Sequence, residues 1–179
     1  MENDQKTVFG HQPGLFLLFF TEMWERFSYY GMRALLVLFL VSPIAAGGWE
    51  WDRQKALGLY AWYTGLVYLT PIIGGILADK LLGHRNAVLL GALLMTFGHA
   101  AMAFEQPWAL YAGLGLLIAG NGFFKPNIST IVGQLYRDLP DKKDAAYTIF
   151  YMGINAGAFL GILLCGYIGE KVSWSLGFG

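Results

Sequence analysis

The sequence predicts an all-α membrane protein with five helices that cross the bilayer, and three observations carry that expectation. The chain is 56% hydrophobic, only 13% charged, and holds 24 glycines, the profile of a lipid-embedded chain rather than a water-soluble domain. Apolar runs of about twenty residues recur between short polar turns, and each matches the thickness of a bilayer. The runs exceed the ~10 residues of a barrel strand and lack its alternation.

The first 14 residues are polar and end in His11-Gln12-Pro13-Gly14, a helix lead-in. They read as a cytoplasmic tail. Span 1 runs from Leu15 to Val41 and stops at Ser42-Pro43. It is too long, and too charged within, to be a cleavable signal. A polar loop with Gly47-Gly48, Glu50, Asp52, Arg53 and Lys55 leads to span 2, Ala56 to Ala78, which contains Thr70-Pro71. The turn Asp79 to Arg85 precedes span 3, Ala87 to Phe104, and Glu105-Gln106-Pro107 precedes span 4, Trp108 to Tyr136. The charged stretch Arg137 to Asp144 reads as a loop before span 5, Ala145 to Gly169. The bundle is thus expected over 15–171. At 172–179 apolar residues return, as the start of a cut-short sixth span in a longer protein. Glycines recur through spans 2 to 5 and predict close helix approach.

Orientation follows from the basic residues. Lys6, Lys80, Arg85, Arg137, Lys142 and Lys143 lie on one side and Arg53, Lys55 and Lys171 on the other, which places the N-terminus in the cytoplasm. The net charge of zero gives no reason to expect a nucleic-acid partner.

The chemistry concentrates in Glu22 to Arg33 of span 1. Four charges at membrane depth are costly and normally face a bundle interior or a watery cavity. On a helix, Glu22, Arg26, Tyr29 and Arg33 share one stripe, flanked by Glu25 and Tyr30. Lys125 of span 4 lies too deep to snorkel, four residues after Asn121 and beside Pro126, where a gate could bend. Arg26, Arg33 and Lys125 outnumber Glu22 and Glu25 by one charge, which an anionic substrate group would neutralise. Arginine suits a carboxylate because its planar fork makes two hydrogen bonds. If a glutamate holds Arg26 or Lys125, protonating it frees the cation, so proton uptake and anion capture are coupled. The bland alternative is a static ion pair that only fixes packing.

Tyr29, Tyr30 and Tyr68 offer rings plus hydroxyls for a pocket that accepts varied side chains. Asn155, among Gly153, Ala156 and Gly157, reads as a buried amide seeking partners between helices. His84 reads as solvent-facing and His99 as isolated, so neither supports a metal site. Gly113-Leu114-Gly115 lacks the context and lysine of a phosphate loop. Cys165 is the single cysteine, read as a structural thiol.

Four stretches taken together resemble bacterial members of the proton-dependent oligopeptide transporter family, within the major facilitator superfamily. They are Glu22-Met23-Trp24-Glu25-Arg26-Phe27-Ser28-Tyr29-Tyr30-Gly31, Gly74 to Gly83, Gly120 to Asn127, and Phe150 to Phe159. The resemblance implies the N-terminal helical bundle of that superfamily, with five spans of the six in this half. It implies a bacterial cell-membrane (inner-membrane) symporter that imports di- and tripeptides with protons and no other cofactor. The C-terminal half would be its missing partner. By resemblance, Glu22, Glu25, Arg26 and Lys125 would couple protons. Arg26, Arg33 and Lys125 would meet the peptide carboxylate, and Tyr29, Tyr30, Tyr68 and Asn155 its backbone and side chains. Asp79, Arg85 and Pro126 would serve gating. Ala61 stands where animal relatives carry a functional histidine, so the carboxylates must suffice for coupling.

Three other classes compete. A related symporter would take another small anionic solute. A membrane enzyme could use Glu22 and Glu25 as acid and base, but no nucleophile, metal cluster or cofactor motif accompanies them. A channel or scaffold would conduct, or do neither.

Overall fold

A computed structural model describes residues 7–178. Lys6, counted toward the orientation, the first six residues of the expected tail, and Gly179 lie outside the described residues. Five long helices account for most of the chain: α1 (Pro13–Val41), α2 (Arg53–Leu77), α3 (His84–Met102), α4 (Pro107–Leu135) and α5 (Pro140–Lys171). A short α6 (Trp174–Phe178) follows.

The helix ends follow local chemistry. Pro13, Pro107 and Pro140 open α1, α4 and α5, where proline's missing N–H costs nothing and its fixed φ suits the first turn. Asp52 caps α2, its Oδ1 accepting from the Gln54 N–H at 2.8 Å and the Lys55 N–H at 3.3 Å. Ser42, before Pro43, is extended and ends α1. The α2 helix does not stop at Ala78. It widens into a π-helical turn, Ala78–Leu82, closed by Gly83 at φ +74, a conformation natural to glycine.

Two of these bounds differ from the sequence expectation. The charged stretch after Arg137 is helical from Pro140, because its acidic and basic residues are solvated on the outside of a helix rather than in a loop. The 2–3 turn is mostly the π-helical continuation of α2.

The helices pack mainly as α1 on α5, α3 on α4 and α2 on α4, with α6 against α5 and α1. Glycines set the crossings. A Cβ on Gly157 would strike the Met23 carbonyl, one on Gly161 the Phe27 carbonyl, and one on Gly74 the Gly122 carbonyl. That last carbonyl is the one Pro126 leaves without its helical N–H partner. Cys165 is buried, its sulfur filling the space opposite Gly31. At the Pro13 end, the His11 ring and the Gln12 N–H both meet the Tyr136 hydroxyl, at 2.9 and 3.2 Å, and Lys142 donates to the Gly10 carbonyl at 2.8 Å.

Three helical segments are long and apolar enough to cross a membrane: Arg53–Leu82, Pro107–Leu135 and Pro140–Lys171. The other two long helices fall short of that measure, so apolarity alone supports three spans rather than five. The reason in α1 is the four charges in its middle; α3 is 19 residues long and opens on His84 and Arg85.

Candidate functional site

The charged stripe of α1 is turned into the bundle. Glu22, Glu25 and Arg26 are 3%, 7% and 4% exposed, a burial that ionised groups tolerate only when paired. Arg26 Nε lies 3.0 Å from Glu22 Oε1, one helical turn back, and also contacts Glu25 Oε2. Asn121 of α4, fully buried, donates from Nδ2 to Glu25 Oε1 at 3.1 Å. Glu22 Oε2 and Arg26 Nη2 have no hydrogen-bond partner among the described residues. A proton arriving at Glu22 Oε2 therefore breaks no existing bond. Lys125 is close enough to act electrostatically on Glu22, Glu25 and Arg26.

Arg33, two turns further along α1, is partly exposed and has only neutral partners. Its Nε donates to the Tyr60 hydroxyl at 3.0 Å, its Nη2 reaches the same oxygen, and its Nη1 approaches the Tyr29 hydroxyl at 3.4 Å. Its guanidinium carbon sits 5.3, 5.7 and 5.4 Å from the ring centres of Tyr29, Tyr30 and Tyr60. Lys125 Nζ stands 5.1 Å over the ring of Tyr68, which is itself 60% exposed. Neither Arg33 nor Lys125 forms an ion pair among the described residues.

A cavity of about 530 Å³ opens beside the cluster, with Glu25, Tyr29, Tyr63, Asn121 and His99 on its walls. Arg33 and Lys125 are not on those walls. Arg33 rests instead on the Tyr29 ring and Lys125 on the Tyr68 ring. The charges thus divide between the Glu22–Glu25–Arg26 cluster and a shelf of tyrosine rings that carries Arg33 and Lys125.

Other expected site residues lie apart. Asn155 is exposed rather than buried, and its Nδ2 donates only to the Tyr151 carbonyl of its own helix, at 3.0 Å. The α1 helix packs on the glycines at 153 and 157, which turns the intervening residue outward. Asp79 and Arg85 are exposed in and beside the 2–3 turn, and Asp79 faces His84 rather than Arg85. His84 is not solvent-facing: its ring lies against Asn127 of α4. Pro126 lies inside α4, between Lys125 and Asn127. His99 is half-buried, its Nδ1 3.0 Å from the Phe178 carbonyl. Sequence reasoning missed the roles of Tyr60, Asn121 and Asn127. Asn121 alone left a trace, through its four-residue spacing from Lys125.

Two carboxylates and a guanidinium paired in the interior of a helical bundle, with helices long and apolar enough to cross a membrane, define a polytopic membrane protein. The family model described as POT family matches residues 85–179, and the chain belongs to that family. It is 47% identical over 98% of its length to an uncharacterised transporter, YclF, of Bacillus subtilis, covering 36% of that protein. It is 43% identical over 99% of its length to a di-/tripeptide transporter of Lactococcus lactis subsp. cremoris, again covering 36%. Among solved structures it resembles peptide transporter POT in complex with sulfate, with a TM-score of 0.93 and 49% identity over 98% of this chain and 36% of that one. The same transporter, as an E310Q mutant, has been solved with alafosfalin. The chain therefore spans about a third of the length of the relatives it matches.

Proposed function

We propose that this chain supplies the proton-coupling and carboxylate-binding half of a symporter that imports di- and tripeptides. The observation that carries the reading is the division of the cations. Arg26 is held by two carboxylates, whereas Arg33 rests only on tyrosine hydroxyls and rings. A guanidinium with neutral partners is ready for an incoming carboxylate, and its fork geometry matches one.

The mechanism follows from charge. With both glutamates ionised, Arg26 and Lys125 balance them and Arg33 is the one excess cation. A proton on Glu22 or Glu25 leaves a second cation unbalanced beside it, so anion binding on the tyrosine shelf becomes more favourable. A bound peptide carboxylate in turn favours the proton, as linkage requires. Tyr29, Tyr30 and Tyr68 line the shelf. Asn155, exposed on α5, would face a substrate held between this bundle and the other half of the transporter. Asp79, Arg85 and Pro126 would act in closing the turn side of the path. Protons are the coupling ion, with no metal or other cofactor.

All five long helices cross the membrane in this reading, which is that of the bacterial cell membrane with the N-terminus in the cytoplasm. The charges of α1 are acceptable there because they point inward and are paired. The bundle at 15–171 is one half of a pair that rocks about a shared site, and 172–179 begins a sixth span.

Membrane vesicles bearing the transporter that contains this chain should accumulate labelled dipeptide when the outside is acidified. Uptake that ignores a proton ionophore, or no uptake, defeats the reading. One neighbouring structure holds sulfate, which keeps a second reading: a symporter for another small anion. Competition by tripeptides separates the two, since only a peptide site yields to them.

A further inference from the structure

The residues just before α1 fold into a turn that holds an aromatic ring in the open. Val8 and His11 exchange two backbone hydrogen bonds of 2.9 Å, and between them Phe9 and Gly10 both have positive φ, +50 and +77. Positive φ at both central positions is type I′ geometry, natural for glycine and strained for phenylalanine. Such strain persists only where the surroundings over-determine it. Here the turn is tied down from two helices. The His11 ring and the Gln12 N–H meet the Tyr136 hydroxyl, and Lys142 of α5 donates to the Gly10 carbonyl at 2.8 Å. Yet the ring so fixed is 90% exposed, and it meets Phe16 edge-on with ring centres 6.1 Å apart.

Beside the turn runs an apolar groove of about 670 Å³ between α1 and α5, with Phe9, Phe16, Phe19, Phe20, Ile149 and Met152 on its walls. Its depth along α1 is that of a membrane interface. Phe16 and Phe20 lie three and seven residues past Pro13, about 5 and 10 Å at 1.5 Å per residue. Apolar side chains at an interface reach about 5–10 Å into the boundary between headgroups and acyl chains. Lys142 stands two turns before Ile149 on the same face of α5, about 10 Å further out. Its long stem brings the ammonium within reach of the headgroup layer, about 5–8 Å thick on each side of a bilayer. The ammonium has three hydrogens and gives one to Gly10, which leaves two for another acceptor. The exposed acids Asp138, Asp141 and Asp144 equal Arg137, Lys142 and Lys143 in number. The region therefore has no net charge, and selection falls to Lys142, the cation tied to the turn that walls the groove.

We propose that this groove binds an acyl chain of an anionic glycerophospholipid in the leaflet at the Pro13 end of α1, with its phosphate on Lys142 and the Phe9 ring against the chain. The strained turn then keeps the ring and the ammonium on the same lipid. The site needs only that α1 enters the bilayer at Pro13. It involves neither the glutamate cluster nor the tyrosine shelf.

The test does not depend on peptide transport. The transporter containing this chain carries photoreactive benzoylphenylalanine in place of Phe20, an exposed ring on the groove wall. It is reconstituted in vesicles of phosphatidylcholine and phosphatidylglycerol in equal parts, illuminated, and the lipid attached to the probe is counted by mass spectrometry. Phosphatidylglycerol should exceed phosphatidylcholine by about fivefold, the preference that one basic residue confers at a membrane surface. The same probe at Leu93, exposed on α3 away from the groove, should take the two lipids equally. Lys142→Gln should bring the Phe20 probe to the same parity. Phe9→Gly eases the backbone while removing the ring, so the total lipid attached should fall although the turn is kept. Parity at Phe20 in the parent, an equal excess at Leu93, an unchanged ratio in Lys142→Gln, or an unchanged yield in Phe9→Gly overturns the proposal. So does attachment of the probe to the C-terminal half of the transporter in place of lipid.

Discussion

In the proposed mechanism coupling turns on Arg26, which two carboxylates hold, one of them also bonded by an amide from another helix. Replacing Glu22 with Gln removes one of its anionic partners without removing bulk, and Lys125→Ala removes the neighbouring cation. Each should lower proton-driven uptake by roughly 5- to 150-fold, the span of ordinary coupling energies, while counterflow driven by substrate alone falls much less. Equal loss in both assays would assign these residues to substrate binding or to the fold. Tyr60→Phe probes the other end of α1. It removes the oxygen that two Arg33 nitrogens share, and because Arg33 is partly exposed the effect is about 1 kcal/mol. The Michaelis constant for peptide should rise about fivefold with turnover kept. The Glu22–Arg26 and Tyr29–Arg33 pairs were legible in the sequence, since residues four apart on a helix meet. Tyr60 and the Asn127–His84 contact were not, because contacts between helices leave no period along the chain.

The helix crossings rest on missing side chains. A Cβ at position 74 meets the backbone carbonyl of Gly122, which cannot step aside as a flexible side chain could. Gly74→Ala should therefore destabilise the bundle by about 2 kcal/mol, as over-packing does, read as a lower unfolding temperature in detergent. Gly58 lies on the same helix with nothing near a new Cβ. Gly58→Ala should be neutral, or stabilise by about 0.5 kcal/mol through helix propensity. The existence of the five long helices was legible from apolar runs and proline or capping signals. The start of α5 was not, because exposed charged residues write the same pattern in a loop and on a solvated helix. Asn155 misled for a related reason: its small neighbours mark where α1 packs, but the amide lies between two packing positions and points away. Which helix pairs with which is absent from local sequence altogether.

The arrangement of the bundle in the membrane can be checked with its one cysteine removed. In a Cys165→Ser background, Gln106→Cys in the 3–4 turn should react with a membrane-impermeant maleimide in intact cells. Asp138→Cys, between α4 and α5, should react only after permeabilisation. The reverse pattern would invert the proposed orientation. The same architecture bears on biogenesis. The α1 helix precedes its partners in the chain, yet it carries four charges and is not among the three helices long and apolar enough to cross a membrane. Its principal packing partner is α5, and the amide that meets Glu25 belongs to α4. Asn121 follows Glu25 by 96 residues, and α5 begins only at Pro140. The charges of α1 therefore gain their shelter only once α4 and α5 have been made, so that helix cannot be settled in lipid independently of the later ones.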